Sequence, residues 1–187
     1  MPVDKNSYEE LLENISCNLC GSNDYDVVYL PQYEKANPEN IIETAMKFLG
    51  LPYLWGGTSS KAVDCSGFTK TVFFMNGIIL QRDASQQVLY GDLVNTSEGY
   101  GNLEPADLLF FGTHETDSTE ERITHVGIYI GDGEIIHSSG RVRINSLLPG
   151  KENYSSYLDS IFIKARRILT RVGEPGIEPV FESEFYK

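Results

Sequence analysis

The feature that most constrains the fold is a pair of apolar runs joined by a tight turn, in the stretch "HVGIYIGDGEIIHSSG". The stretch begins at His125, and residues 131–133 (Gly-Asp-Gly) separate its two runs. Because glycine and aspartate tolerate the positive φ angles of short hairpin turns, this pattern predicts two antiparallel strands. Pairing about Asp132 sets Gly127 opposite His137, which makes His125 and His137 diagonal neighbours within side-chain reach. We therefore expect an antiparallel sheet in which two histidines meet across this hairpin.

The segments before the hairpin predict helices. In "ENIIETAMKFLG" the apolar residues recur at helical spacing, Pro38 suits a first turn and Gly50 is a good stop. A second helix is predicted from about Cys65 to Met75, and a shorter one after Asp83.

Strands dominate the second half of the chain. "DLLFFG" predicts a buried strand at residues 108–111, and "RVRINSL" and "IFIKARRIL" alternate as strands do. Helices followed by strands favour an α+β domain, in which N-terminal helices pack on a central antiparallel β-sheet. We expect this domain to span residues 37–169, between an N-terminal extension (1–36) and a loose C-terminal tail (170–187).

Composition argues against several classes of function. The chain has 187 residues and a net charge of −12, which is the wrong sign for a nucleic-acid or anionic-membrane binder. No apolar run approaches the roughly 20 residues of a membrane span, and the N-terminus shows no signal peptide. Three cysteines argue against a disulfide framework. We expect a cytoplasmic protein, or a secreted or cell-wall one if a leader has been removed; the oligomeric state is open.

Cys65 is the candidate nucleophile. It precedes Ser66 and Gly67 at the start of a predicted helix, where the helix dipole and free N–H groups lower the pKa of a thiol and can hold an oxyanion. The charge of Asp64 opposes a thiolate unless the carboxylate points away, as a helix cap or as a partner for a cationic substrate group. A buried structural cysteine is the alternative interpretation.

The two histidines complete a candidate catalytic site. One of His125 and His137 can act as the general base for Cys65 while the other fixes its tautomer. The alternatives are structural histidines, or a zinc ion held by Cys65, His125 and His137 with one position open. No local pair such as HxH or HExxH supports the zinc interpretation, and the helix-start position of Cys65 suits a nucleophile better, so we expect no metal.

Four motifs in a fixed order carry a resemblance to a known family: "PYLWGGTSSKAVDCSGFTKTVF", "RDASQQ", "DLLFFG" and "THVGIYIGDGEIIHSSGRVRINSL". Over about residues 38–169 the chain resembles the NlpC/P60 family of cysteine peptidases. It is most similar to the YkfC-type branch, the γ-D-glutamyl-L-diamino acid endopeptidases that cut peptidoglycan stem peptides. The resemblance implies a compact papain-like α+β domain.

The resemblance also implies roles for individual residues. Cys65 becomes the nucleophile, His125 the base and acid, and His137 the orienting residue. Substrate contacts are implied at five further positions: Tyr53, Asp64, Ser66, Asp83 and Ala84. Asp64 and Asp83 would hold the free amine of an N-terminal L-Ala, and Ala84, often a serine in the family, would contribute only its backbone.

The implied reaction is amide hydrolysis by acyl transfer on a peptidoglycan-derived peptide, without a cofactor. The Cys65 thiolate attacks the γ-carbonyl of D-Glu, His125 protonates the leaving amine, and water hydrolyses the thioester. Two alternatives share the fold: a thiol amidase or acyltransferase with the same residues, and a non-catalytic interaction module.

The chain departs from the YkfC-type pattern in its N-terminal part. About 37 residues precede the first helix, fewer than an independently folding SH3-like domain needs, which leaves open whether a free L-Ala amine is required. Within them, "CNLCGS" has the spacing of half a zinc knuckle, and Cys17 and Cys20 also suit a redox pair. We interpret His114 as solvated and Trp55 as a packing residue of the cleft wall.

Overall fold

The computed structural model describes residues 36–184. These residues contain four α-helices: α1 (Pro38–Met46), α2 (Cys65–Met75), α3 (Ala84–Gln87) and α4 (Ser156–Ser160). They also contain eight strands: β1 (Ile78–Leu80), β2 (Asp92–Val94), β3 (Leu108–Thr113), β4 (Arg122–Gly131), β5 (Glu134–Ser139), β6 (Arg141–Ser146), β7 (Phe162–Arg167) and β8 (Ile177–Pro179). Two short 3-10 helices, Leu169–Arg171 and Val180–Glu182, lie on either side of β8.

Six of these strands form one antiparallel sheet in the order β2-β7-β3-β4-β5-β6, and β1 pairs with β8 in a second sheet. Helix α2 packs on β4 and β5, and α1 packs on α2. The α+β class and the helices packed on an antiparallel sheet are therefore confirmed.

Successive side chains of a strand point to opposite faces of a sheet, and the large sheet carries buried apolar residues on both faces. One face carries Phe110, Ile128 and Ile136, and it packs on apolar side chains of the helices: Ile41, Ala45, Phe68 and Val72. The opposite face carries a second apolar cluster that includes Leu109, Phe111, Tyr129 and Ile135. Strand β3 contributes to both clusters, which explains its unbroken apolar run "LLFF".

The hairpin β4–β5 has the predicted register. Ile128 pairs with Ile136, and an irregularity in β4 follows the next pair. Asp132 and Gly133 form the turn with φ values of 54° and 73°. Both values lie in the left-handed region, which Gly and Asp reach at low cost.

Helix α1 is shorter than the sequence pattern predicts. The side chain of Asn37 caps it, and Pro38 begins it, as expected. The helix ends at Met46, and turns continue to Gly50, which has a φ of 85°. The N–H of Gly50 donates to the carbonyl of Val142 at 2.9 Å, so pairing with the edge of β6 replaces the last helical turn.

Helix α2 begins at Cys65, as predicted. Asp64 is its cap and accepts a hydrogen bond from the N–H of Gly67 at 2.6 Å. The preceding loop lies directly against this first turn: a Cβ added to Gly67 would be 2.0 Å from the carbonyl oxygen of Gly57. The small residue after Cys65-Ser66 is therefore needed for the close approach of loop and helix.

The C-terminal segment corrects one prediction. Residues 170–184 are not a loose tail, because β8 pairs with β1 from Ile78 to Leu80. Ile177 and Val180 are each 1% exposed. Burial of these two apolar side chains beside α2 outweighs the local Gly- and Pro-rich character that suggested a tail.

Two further predictions concern the N-terminal extension and membrane-spanning segments. The extension 1–35, with the Cys17 and Cys20 pair, lies outside the described residues, as do residues 185–187. Among residues 36–184 no helix has the length and apolar character needed to cross a membrane.

We expect Gly67→Ala to lower the free energy of unfolding by about 2 kcal/mol, because the added Cβ forces Gly57 away from α2. Gly101→Ala is the matched control, since a Cβ there meets nothing within 4 Å. Urea unfolding of both variants measures the difference. Equal stability of the two variants would contradict the close approach.

Candidate active site

Cys65 lies in the first turn of α2 and is 9% exposed. Burial raises the pKa of its thiol and the charge of Asp64 adds to the increase, while the N–H groups of Val126, Ser66 and Cys65 itself point at the sulfur and oppose it. Val126 is the residue after His125 on β4. The contact therefore places the thiol beside the histidine hairpin.

The two candidate histidines are in direct contact. Nε2 of His125 on β4 lies 2.8 Å from Nδ1 of His137 on β5, and the two rings are nearly perpendicular. A Cβ added to Gly127, opposite His137, would lie 2.9 Å from the His137 Cβ, so the glycine leaves the room that the imidazole occupies. The predicted diagonal contact across the hairpin is present.

The environment of the pair favours neutral imidazoles. His137 is 1% exposed, and burial lowers the pKa of both rings. The positive charge of Arg143 lowers both pKa values further. Burial therefore disfavours the imidazolium form of both histidines.

A third side chain, which the sequence patterns did not single out, extends this pair. Oδ1 of Asn145 on β6 lies 2.9 Å from Nε2 of His137, and the hydrogen bond raises the pKa of that ring in opposition to burial. Strand register places it there: His137 pairs with Arg143, so Asn145 is the next residue on the same face of β6. The sequence signal that could have identified Asn145 is the turn at Gly140, because a tight turn there sets the register of β5 and β6.

Asp64 is the most extensively bonded side chain of the site. It is buried, and its two oxygens accept hydrogen bonds from the N–H groups of Gly56 and Gly67 and from the guanidinium of Arg82. The hydrogen bonds from Arg82 and the two N–H groups lower the pKa of the carboxyl although burial opposes them. The helix-cap interpretation of Asp64 is confirmed, and Arg82 is a cation that the sequence patterns did not identify.

An open cleft of about 550 Å³ lies over Cys65. Its lining includes all five positions implied as substrate contacts: Tyr53, Asp64, Ser66, Asp83 and Ala84. The histidines do not line it; residues 122–124, directly before His125, form that wall. A second groove of about 630 Å³ lies between α2, β1 and β8 and contains none of these residues.

The individual cleft residues differ in how free they are to bind a substrate. The Asp83 side chain is 65% exposed, whereas Asp64 is already held by Arg82. Burial is the largest cause that raises the pKa of the Tyr53 hydroxyl, and the ring lines the same cleft as the thiol. Ala84 is buried, so it presents mainly its backbone. The roles of these residues toward a substrate stay predictions.

Two lesser predictions have different outcomes. His114 is exposed in the loop after β3, as expected. Trp55 lines the cleft but is 86% exposed, so the prediction that it is a packing residue is wrong. It lies in a turn closed by the bond from the N–H of Gly57 to the carbonyl of Leu54, which holds the ring at the rim.

The zinc alternative gains no support from the arrangement of side chains. Across residues 36–184, no group of three or more His, Cys, Asp or Glu side chains is placed to hold a metal ion. The two histidine nitrogens that face each other are hydrogen-bonded together. Their lone pairs are therefore not directed at a common point with the Cys65 sulfur.

The lowered pKa of the buried histidines predicts a loss of stability in mild acid. Below about pH 6.5 the unfolded chain binds protons on His125 and His137 that the folded chain does not, so the free energy of unfolding falls with pH. The slope is up to about 1.4 kcal/mol per pH unit for each histidine. Urea unfolding between pH 7.5 and 5 measures it, and His125→Gln should flatten it. A wild-type stability that does not change over this range would contradict neutral burial.

Comparisons with known proteins identify relatives of this chain. The chain is 36% identical over 165 residues to a γ-D-glutamyl-L-lysine dipeptidyl-peptidase of Bacillus cereus, which covers 87% of this chain and 46% of the relative. It is 43% identical over 105 residues to the Bacillus subtilis protein of the same name, covering 56% of this chain and 33% of the relative. The chain thus spans less than half the length of either relative.

A solved structure shows the same fold. The crystal structure of an NlpC/P60 family protein from Bacillus cereus superimposes with a TM-score of 0.61 at 36% identity, over 75% of this chain and 43% of that one. The profile of the NlpC/P60 family matches residues 50–167, which include Cys65, both histidines and the whole cleft. The chain therefore belongs to the NlpC/P60 family.

Proposed function

We propose that this chain is a cysteine peptidase that hydrolyses the γ-D-glutamyl–L-diamino acid bond of peptidoglycan stem peptides. The observation that carries the proposal is a thiol at the start of α2, in an open cleft, beside the hydrogen-bonded pair of His125 and His137. The two Bacillus relatives are named γ-D-glutamyl-L-lysine dipeptidyl-peptidases, which supports this choice of the bond that is cut.

The first step forms a thioester. His125 takes the proton of the Cys65 thiol as the sulfur attacks the γ-carbonyl carbon of D-Glu, and the carbonyl oxygen becomes an oxyanion. The imidazolium of His125 then donates the proton to the nitrogen of the diamino acid, which leaves as a free amine.

The start of α2 supplies donors for the oxyanion. Asp64 already binds the N–H groups of Gly67 and Phe68, through its side chain and its carbonyl. The N–H groups of Cys65 and Ser66 remain directed toward the sulfur, where a tetrahedral intermediate forms. In the second step His125 removes a proton from water, the hydroxyl attacks the thioester, and the Cys65 thiol is restored.

One exposed cation of the cleft suits a carboxylate of the substrate. Arg82 is paired with Asp64, but the exposed Arg122 forms no ion pair within the part of the chain described here. It lies on β4, three residues before His125, the group that protonates the leaving amine. The leaving diamino acid therefore lies on the side of Arg122, and its carboxylate is the matching partner.

Cys65→Ala should abolish cleavage of an L-Ala-γ-D-Glu-L-diamino acid peptide, because no other side chain of the cleft is a nucleophile of comparable strength. Mass spectrometry of the products measures the loss, and thermal unfolding shows that the variant is folded. Cleavage at the wild-type rate by folded Cys65→Ala would refute the mechanism. Transfer of the acyl group to an acceptor other than water would instead indicate an acyltransferase.

Arg122→Ala should weaken the preference for a substrate with a free C-terminal carboxylate. We expect kcat/KM for the tripeptide acid to fall roughly threefold to fivefold, with little change for the matching C-terminal amide, since exposed ion pairs contribute up to about 1 kcal/mol. Arg141→Ala, an exposed arginine outside the cleft lining, is the control. Equal effects on the acid and the amide would contradict the assignment.

A further inference from the structure

The polar groups behind the histidine pair form a hydrogen-bond chain whose direction is determined. The backbone carbonyl of Asn153 can only accept, and it accepts from Nδ2 of Asn145 at 3.1 Å. The other end of the same amide, Oδ1, therefore faces Nε2 of His137 at 2.9 Å. Because Oδ1 can only accept, Nε2 of His137 carries a hydrogen.

The direction continues into His125. A neutral imidazole with a hydrogen on Nε2 has a bare Nδ1, so Nδ1 of His137 accepts from Nε2 of His125 at 2.8 Å. The hydrogen of neutral His125 is thereby placed on Nε2, and its Nδ1 is left as a lone pair. In the described residues this Nδ1 accepts no hydrogen bond, which leaves it available as the base.

The anchor of the chain is rigid. The carbonyl of Asn153 also accepts from the N–H of Ser146 at 2.9 Å, a backbone hydrogen bond that does not involve the Asn153 side chain. Rotating the Asn145 amide by half a turn would set its Oδ1 against the Asn153 carbonyl and its Nδ2 against Nε2–H of His137. Two acceptors and two donors would then face each other in a partly buried site, which is unfavourable.

We propose that Asn145 is a positioning residue that holds His137 in its Nε2–H tautomer and thereby leaves Nδ1 of His125 as the general base. The assignment of the base rests on the proposed function, and the assignment of the tautomers does not. Asn145 acts through two other side chains and touches neither Cys65 nor a substrate. The side chain of Asn153 is dispensable, because only its backbone carbonyl belongs to the chain.

The first test is kinetic. Asn145→Ala should lower kcat about 10- to 100-fold, by analogy with the loss of a partner that orients a metal-bound histidine, with KM within twofold of wild type. Asn153→Ala keeps the carbonyl and should retain kcat within twofold. Asn145→Asp keeps an acceptor but adds a charge that favours the imidazolium of His137, so the acidic limb of the kcat/KM profile should move to higher pH.

The second test does not depend on activity. In Cys65→Ala, the ring ¹⁵N shifts should show hydrogens on Nε2 of both histidines, and Asn145→Ala in that background should lose this single pattern. Hydrogens on Nδ1 of His137 would overturn the proposal, as would an Asn145→Ala enzyme with wild-type kcat. An equal loss of kcat in Asn153→Ala would also overturn it, because the effect would then come from disturbing the loop after β6 and not from the Asn145 amide. Absence of cleavage by the wild type would refute the proposed function alone.

Discussion

The carboxylate of Asp64 is the interaction on which the site depends. It joins three separate parts of the chain: the loop at Gly56, the first turn of α2 at Gly67, and Arg82 before α3. A buried carboxylate without such partners would be strongly unfavourable, so the loop, the helix and the arginine must assemble together. Their assembly places Cys65 at the start of α2 and Tyr53 and Trp55 above it.

This arrangement has a chemical consequence for the thiol. The negative charge that holds the site together lies next to Cys65 and, with burial, raises the pKa of its thiol. Burial lowers the pKa of His125 at the same time. Both shifts disfavour the charged forms of the two side chains, so burial acts against a thiolate and an imidazolium at this place in the fold.

The parts that could be predicted from sequence are those decided by neighbours along the chain. The start of α2 follows from an aspartate cap before Cys65, and the hairpin register follows from the Gly-Asp-Gly turn. The pairing of β8 cannot be predicted from its own segment, because its partner β1 lies about a hundred residues earlier in the chain. The exposure of Trp55 cannot be predicted either, because an apolar residue in a turn has no local signal for whether a neighbour covers it.

The sequence by itself determined the position of the candidate nucleophile at a helix start and the diagonal contact of the two histidines, since a helix cap and a short hairpin turn act within a few residues. Only the tertiary structure decided which polar groups surround them. Arg82 reaches Asp64 across 18 positions, and Asn145 reaches His137 only through the pairing of β5 with β6. Such contacts depend on the packing of separate elements, because hydrogen bonds to buried groups form wherever the assembled fold brings a donor and an acceptor together.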